Sequence, residues 1–201
     1  MGVSIQPAEI LDVLRTLRSV ALPMWLSGGV AVDFLVGRWT RPHKDLDLVA
    51  FTPHREQLER ELSACGLAMA HDEGWTTRWT VAGRRGADVE IVFVQPASPQ
   101  TGVLVVPRDD PTHGQARRYP FLAGYLDPRR YRELDGVRYR VCSAEGEWLN
   151  RLADADLVPG RKPEPKLQHD VQLLQLLIPE PRRRELLRAH PTRPSTEQLQ
   201  P

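Results

Sequence analysis

Apolar residues recur along this chain in two periods, and the two periods predict most of its elements. Ile10, Leu11, Val13, Leu14 and Leu17 fall at helical spacing with Arg15 and Arg18 on the other side, which predicts a packing helix over 7–20. Residues 21–26 predict a first strand, confined by Pro23 to a sheet edge or a strand start. A second helix is expected over 29–37, with Gly37 as its C-terminal cap. Residues 45–51, DLDLVAF, alternate and predict a strand; Leu58 and Leu62 among charges predict a helix over 53–65 that stops at Gly66. Strands are expected at 67–70, 76–81 and 87–94, with a turn at 83–86, and a further short strand within 101–107. Residues 108–130 are rich in Pro, Gly, Arg and Asp and read as a long loop. Residues 136–142 predict a strand, Ser143 is a good N-cap, and 144–155 form the helix behind it. After a breaker run at 159–165, residues 166–177 predict a helix with Leu167, Val171, Leu174 and Leu177 inward. A short basic helix over 182–189 and a polar, Pro-rich tail, expected to be disordered, end the chain. The expected organisation is a core over 1–107, a long loop over 108–135, a strand and helical lobe over 136–190, and a tail over 191–201.

The stretch between Trp25 and Phe51 carries the candidate chemistry. Ser27-Gly28-Gly29 is a turn poor in side chains that opens a helix. Glycines let backbone approach a phosphate closely, and a helix N-terminus offers free N–H groups and a favourable dipole. Ser27 adds a hydroxyl. By itself a Gly-Gly pair is more simply a strand-to-helix turn. Sixteen residues after Gly29, Asp45 and Asp47 lie at i and i+2 of a strand and so share one face, with Leu46 and Leu48 on the other. Asp is depleted in strands and like charges repel, so a cation between the two would account for the pair. Oxygen ligands of this kind suit Mg²⁺. Alone, Asp45-x-Asp47 is equally a solvated edge strand. A phosphate cradle followed by a carboxylate pair is more specific than either half. Arg41, His43 and Lys44, in the loop before the acids, are candidate phosphate contacts, since arginine grips phosphate oxygens bidentately. His43 is alternatively a metal-shell or structural histidine. Asp33, one turn into the helix, reads as a polar partner. Asp88 and Glu90 repeat the same-face pattern on the strand over 87–94.

Ser-Gly-Gly, an amphipathic helix and then Asp-Leu-Asp on a strand resemble the nucleotidyltransferase superfamily with the polymerase-beta-like fold. Within it, residues 22–48, LPMWLSGGVAVDFLVGRWTRPHKDLDL, closely resemble the aminoglycoside 2″-nucleotidyltransferase family, which has lincosamide-modifying relatives. Val30 stands where that family tends to carry an aromatic. The resemblance implies an α+β fold, a mixed β-sheet nucleotidyltransferase core with flanking helices and a small C-terminal helical lobe. It implies ATP or another nucleoside triphosphate on Ser27, Gly28 and Gly29. It implies one or two Mg²⁺ ions on Asp45 and Asp47, with Asp88 matching the first acid of the family's Asp-x-Glu strand as third ligand and base. Glu90 is the alternative base. Lys166, four residues before Asp170, resembles a lysine that holds nucleotide phosphates in related enzymes; an ordinary surface lysine would look the same. The implied reaction is transfer of a nucleoside monophosphate, AMP from ATP in the simplest case, to a hydroxyl of a small molecule, with release of pyrophosphate. An aminoglycoside is the first acceptor to expect.

Composition narrows the alternatives. The chain has 201 residues, 41% of them hydrophobic, enough for one domain with a small lobe. A net charge of +1 gives no global field that would draw nucleic acid or a membrane surface. Cys65 and Cys142 show no metal spacing and read as reduced thiols, the opening decapeptide lacks the marks of a signal peptide, and no apolar run approaches the ~20 residues of a membrane span. A cytoplasmic protein is expected. In the 108–130 loop, Tyr119, Phe121, Tyr125, Asp109 and Asp110 are candidates to face an amine-bearing substrate. Other acceptors (a lincosamide, a biosynthetic intermediate, a protein or a tRNA) and a non-catalytic nucleotide-binding module compete with this reading. The second is disfavoured by the presence of Asp45, Asp47 and Asp88 together.

Overall fold

Strands with one fully apolar face dictate how the chain is built. The computed structural model describes residues 4–81, 88–96, 104–105, 124–156 and 164–189. Helix α1, Pro7–Leu17, starts on a proline that needs no N–H partner, and Glu9 accepts the Gln6 N–H at 2.9 Å. It buries Ile10, Leu11, Val13, Leu14 and Leu17. Strand β1, Trp25–Leu26, leads through Ser27 into α2, Gly28–Val36, which ends at Gly37. Strand β2, Asp45–Phe51, is followed by a 3₁₀ turn, Thr52–His54, and by α3, Arg55–Ala64. Strands β3, Leu67–Asp72, β4, Thr76–Val81, β5, Asp88–Pro96, and β6, Leu104–Val105, complete the main sheet. Strands β7, Tyr131–Leu134, and β8, Val137–Arg140, form a hairpin.

The main sheet runs β1-β2-β5-β4-β3, with β6 paired to the far end of β5. Only β2 and β5 are parallel; β1–β2, β4–β5 and β3–β4 are antiparallel. The sheet is therefore mixed and the fold α+β, as expected. The register of the parallel pair sets Leu46 beside Val89, Leu48 beside Ile91 and Ala50 beside Phe93. These six residues are fully buried in one core with the apolar faces of α1, α2 and α3. The other face carries the acids at one end. Further along, Val49 and Val94 join Trp25, Tyr125, Leu126 and Cys142 in a second, smaller cluster.

The chain divides into two compact units, Met1–Ser143 and Ala144–Pro201. The strand expected to open the helical lobe at 136–142 thus belongs with the sheet: Leu134, Val137, Tyr139 and Val141 are buried in the main core. In the second unit, α4, Ala144–Asp156, packs on α5, Pro165–Leu177, and α6, Glu180–Ala189, follows. Asp170 and Leu174 are buried, and Asp170 lies 3.5 Å from Arg151. Leu177, expected inward, is exposed at the end of α5. Two strand expectations change. β1 is two residues long instead of six: Pro23 has no N–H to give a ladder, and the Ala21 N–H goes to the Glu61 carboxylate at 2.8 Å. β7 occupies part of the expected 108–135 loop. The turn at 83–86, residues 108–123 with Asp109, Asp110, Tyr119 and Phe121, and the tail from 190 lie outside the described residues. Cys65 and Cys142 are free thiols. Among the described residues no helix is long and apolar enough to cross a membrane.

Candidate active site

Two elements bring the acids together. Because β2 and β5 run parallel in direct register, Asp45 stands beside Asp88 and Asp47 beside Glu90, all four on one face. Leu46, Leu48, Val89 and Ile91 anchor the opposite face, so a slip of one residue would bury the acids in the core. Asp45 is exposed, while Asp47, Asp88 and Glu90 are half-buried. Glu90 leans toward β4: Arg78 lies 3.4 Å from it and the Thr76 hydroxyl 3.5 Å. Asp88, at the start of β5, is the acid set directly against Asp45.

The glycine turn abuts Asp47. Ser27 donates its N–H to the Asp47 carbonyl at 3.0 Å. Gly28 has φ +70°, and a Cβ there would lie 1.9 Å from Asp47 Oδ2. A Cβ on Gly29 would lie 2.1 Å from an Arg41 guanidinium nitrogen. The two glycines therefore make room for this chain's own Asp47 and Arg41, a more specific reason than open access for a phosphate. Ser27 is the N-cap residue of α2, but its side chain makes no cap bond; its hydroxyl lies 3.2 Å from the Tyr125 hydroxyl.

Behind the turn lies a buried polar relay. Asp33 accepts the Thr40 N–H at 3.0 Å and the Thr40 hydroxyl at 2.5 Å on one oxygen. His43 Nε2 lies 2.6 Å from the other. His43 Nδ1 lies 3.3 Å from Arg41 Nη1. A guanidinium only donates, so Nδ1 accepts, and the hydrogen-bond network puts the ring hydrogen on Nε2, facing Asp33. Arg41 also donates to the Pro42 carbonyl at 3.2 Å. His43 is 4% exposed and lies between Arg41 and Asp33, a placement that fits the structural alternative the sequence left open. Lys44 is exposed just before β2. Lys166 lies in the second unit, at the start of α5, 3.3 Å from Glu164.

The carboxylates fit a hard cation by donor type and register. Among the described residues, no three His, Cys, Asp or Glu side chains stand close enough as placed to form a metal site.

Comparison with known proteins assigns the chain. The model of the aminoglycoside-2''-adenylyltransferase family matches residues 9–174 of the 201. The chain belongs to this family. A 2''-aminoglycoside nucleotidyltransferase from Klebsiella pneumoniae is 36% identical over 61 residues, 30% of this chain and 34% of that protein. The match thus spans about a third of that relative's length. Among solved structures, the antibiotic-resistance factor ANT(2'')-Ia in solution aligns over 95% of this chain and 94% of its own, with TM-score 0.71 and 19% identity. ANT(2'')-Ia in complex with adenylyl-2''-tobramycin covers 90% and 94%, with TM-score 0.68 and 20% identity. The lincosamide antibiotic adenylyltransferase LnuA, lincomycin-bound, covers 88% and 100%, with TM-score 0.62 and 16% identity. At these identities the likeness establishes the fold, that of the polymerase-beta-like nucleotidyltransferases, for this member of the adenylyltransferase family.

Sequence reasoning set Asp33 aside and gave Tyr125 no place beside the glycine turn. Asp33 carried a local signal, an acid on the otherwise apolar helix GGVAVDFLV ten residues before a histidine. Tyr125 carried none, since it reaches Ser27 across 98 residues of chain.

Proposed function

We propose that this protein transfers a nucleoside monophosphate, AMP from ATP, to a hydroxyl of an aminoglycoside-type small molecule and releases pyrophosphate. The observation that carries the proposal is the parallel register that sets Asp45 beside Asp88, with Asp47 packed on the glycine turn. Asp45, Asp47 and Asp88 are the residues that would hold Mg²⁺, which when bound supplies Lewis acidity at the phosphoryl oxygens and lowers the pKa of an attacking hydroxyl. The N-terminus of α2 turns backbone N–H groups and the positive end of its dipole toward the nucleotide phosphates. Ser27, held near Tyr125, adds a hydroxyl to the same edge. Arg41, fixed by His43 and Asp33, and Lys44 offset phosphate charge as it builds on the leaving group. Asp88 accepts the proton of the attacking hydroxyl. Glu90 is the alternative base, and its ion pair with Arg78 favours Asp88 for the task. The role of Lys166 in holding phosphates rests on the family resemblance, and Lys166→Ala tests it through the KM for ATP. The carboxylates suit a polycationic acceptor by charge.

The test is turnover of ATP with magnesium against a panel of aminoglycosides and lincosamides, read by pyrophosphate release and by the mass of the acceptor. The expected product is an aminoglycoside heavier by one adenylyl group. An adduct only on a lincosamide would move the acceptor class. Nucleotide binding without any adduct across the panel would overturn the proposed transfer. Asp47→Asn is expected to keep the melting temperature within a few degrees and to lower kcat by at least about 10²-fold, in the range of losing one electrostatic catalytic group. Full activity in that variant would remove Asp47 from the site.

A further inference from the structure

The segment that leaves α1 and the β7–β8 hairpin line a half-open cavity of about 580 Å³. One side is aliphatic, from Leu17, Val20 and Leu22. Every charged residue that lines it is an arginine: Arg18, Arg138 and Arg140. None of the acids of β2 and β5 takes part. Leu17, Val20 and Tyr139 belong to the main core, on the face of the sheet opposite to those acids.

Two of the three guanidinium groups are held in place without being neutralised. Arg138 and Arg140 both stack over the Tyr131 ring, 4.8 and 5.1 Å from its centroid. Stacking fixes the plane of a guanidinium and leaves its N–H edge for a second partner. Arg140 spends one donor on the Pro128 carbonyl at 3.3 Å. Arg18, the C-cap residue of α1, and Arg138 have no carboxylate partner among the described residues. Two acids stand nearby. Glu61 is engaged by the Ala21 N–H at 2.8 Å and by Gln57 at 2.8 Å. Glu133 faces Arg138 across the hairpin ladder without forming an ion pair. The Tyr139 phenol is an O–H donor at neutral pH, and burial raises its pKa further.

We propose that this cavity binds a phosphate-bearing small molecule with a planar ring, a nucleoside phosphate, at a site separate from the acid face. Three guanidinium forks and a phenol supply donors, and none of the nine lining residues carries a carboxylate to compete. Arginine matches phosphate geometry bidentately. The volume lies within the range of small-molecule sites, about 300–1,000 Å³, and exceeds what a lone phosphate would fill. The aliphatic wall suits a base. A polycationic acceptor is repelled here, so the cavity is no extension of the acceptor site. The inference does not depend on the proposed catalytic activity.

The test is calorimetric titration of the full chain with AMP, and separately with adenosine, in excess EDTA. AMP is expected to bind at least tenfold more tightly than adenosine. Arg18→Glu and Arg138→Glu are each expected to weaken AMP at least tenfold, and Arg138→Gln to weaken it less. Gly28→Ala, which blocks the glycine turn, should leave AMP binding unchanged. Circular dichroism checks that the variants fold; both arginines are exposed, so charge reversal leaves the core intact. Absence of AMP binding, equal affinity for AMP and adenosine, or affinity that survives Arg138→Glu would overturn the proposal. So would binding lost in Gly28→Ala, which would put the nucleotide at the glycine turn instead.

Discussion

At Gly28 a single hydrogen atom separates a workable site from a broken one. The residue sits at φ +70°, and any side chain there would enter the Asp47 carboxylate. Gly28→Ala is therefore expected to cost about 1–2 kcal/mol from backbone conformation alone, and more from displacing Asp47. Gly37 is the matched control: φ is +80°, but a Cβ there meets nothing. Gly37→Ala should cost about the same backbone energy and leave nucleotide affinity unchanged, whereas Gly28→Ala should abolish the magnesium-dependent binding of ATP at the turn. A thermal melt and a nucleotide titration on both variants separate the two effects; equal loss of binding would remove the special role of the turn. Asp33 makes a comparable prediction one layer deeper. Asp33→Ala strands the His43 Nε2–H and both Thr40 donors, at about 1–3 kcal/mol for buried groups left unpaired. Because His43 then loses its anchor, Arg41 loosens, and the KM for nucleotide should rise more than kcat falls. A melting temperature that drops with no change in KM would make the relay purely structural.

Elements with a strong period were legible in the sequence, and those without one were not. β2 matches its expected span of 45–51, because alternation sets Leu46 and Leu48 against Asp45 and Asp47. α1, α2 and α3 lie within their expected spans to within one residue at the N-terminus. β7 escaped because YREL has too few apolar residues to show a period. The turn signal beside it was present all the same: Asp135-Gly136 takes φ +46° and +75°, the backbone of a two-residue hairpin loop. Asp135 also accepts the Trp39 Nε1–H at 2.7 Å. Gly136→Val is expected to destabilise the protein by about 1–2 kcal/mol, since a β-branched residue resists positive φ. Asp135→Asn, which tolerates that conformation, should cost less; a denaturant midpoint measured on each checks the order. The acids were legible as pairs within each strand. Their meeting was expected from the family resemblance and not from periodicity, because the Asp45–Asp88 register depends on α3 and the β3–β4 hairpin, which carry the chain back to β2. The arginine cavity was hidden, since Arg18 and Arg138 lie 120 positions apart.

Stability of the first unit depends on how that crossover is tied to the sheet, and Arg55 makes the tie. From the first turn of α3 it donates to Glu59 at 2.7 Å, to Asp72 at 2.6 Å and to the Gly74 carbonyl in the β3–β4 turn, while its guanidinium lies 5.2 Å from the Phe93 ring centroid. The Arg55 hydrogen bond, followed by the Gly74 N–H, holds the Asp72 carboxyl below the ordinary carboxylate range. A carboxylate whose pKa is lower folded than unfolded contributes stability at neutral pH. That contribution is lost as pH falls below the unfolded value and through the folded one. Wild type should therefore be more stable than Asp72→Asn at pH 7, and the gap should close as pH drops into the range where free carboxylates protonate. Asp72 is partly exposed, so added salt should narrow the gap as well. Urea midpoints of the two proteins between pH 7 and pH 3, at low and high salt, read this directly. A gap that stays constant across that range would mean that Asp72 holds the β3–β4 turn by hydrogen bonding to Gly74 alone, and that the crossover is not secured by charge.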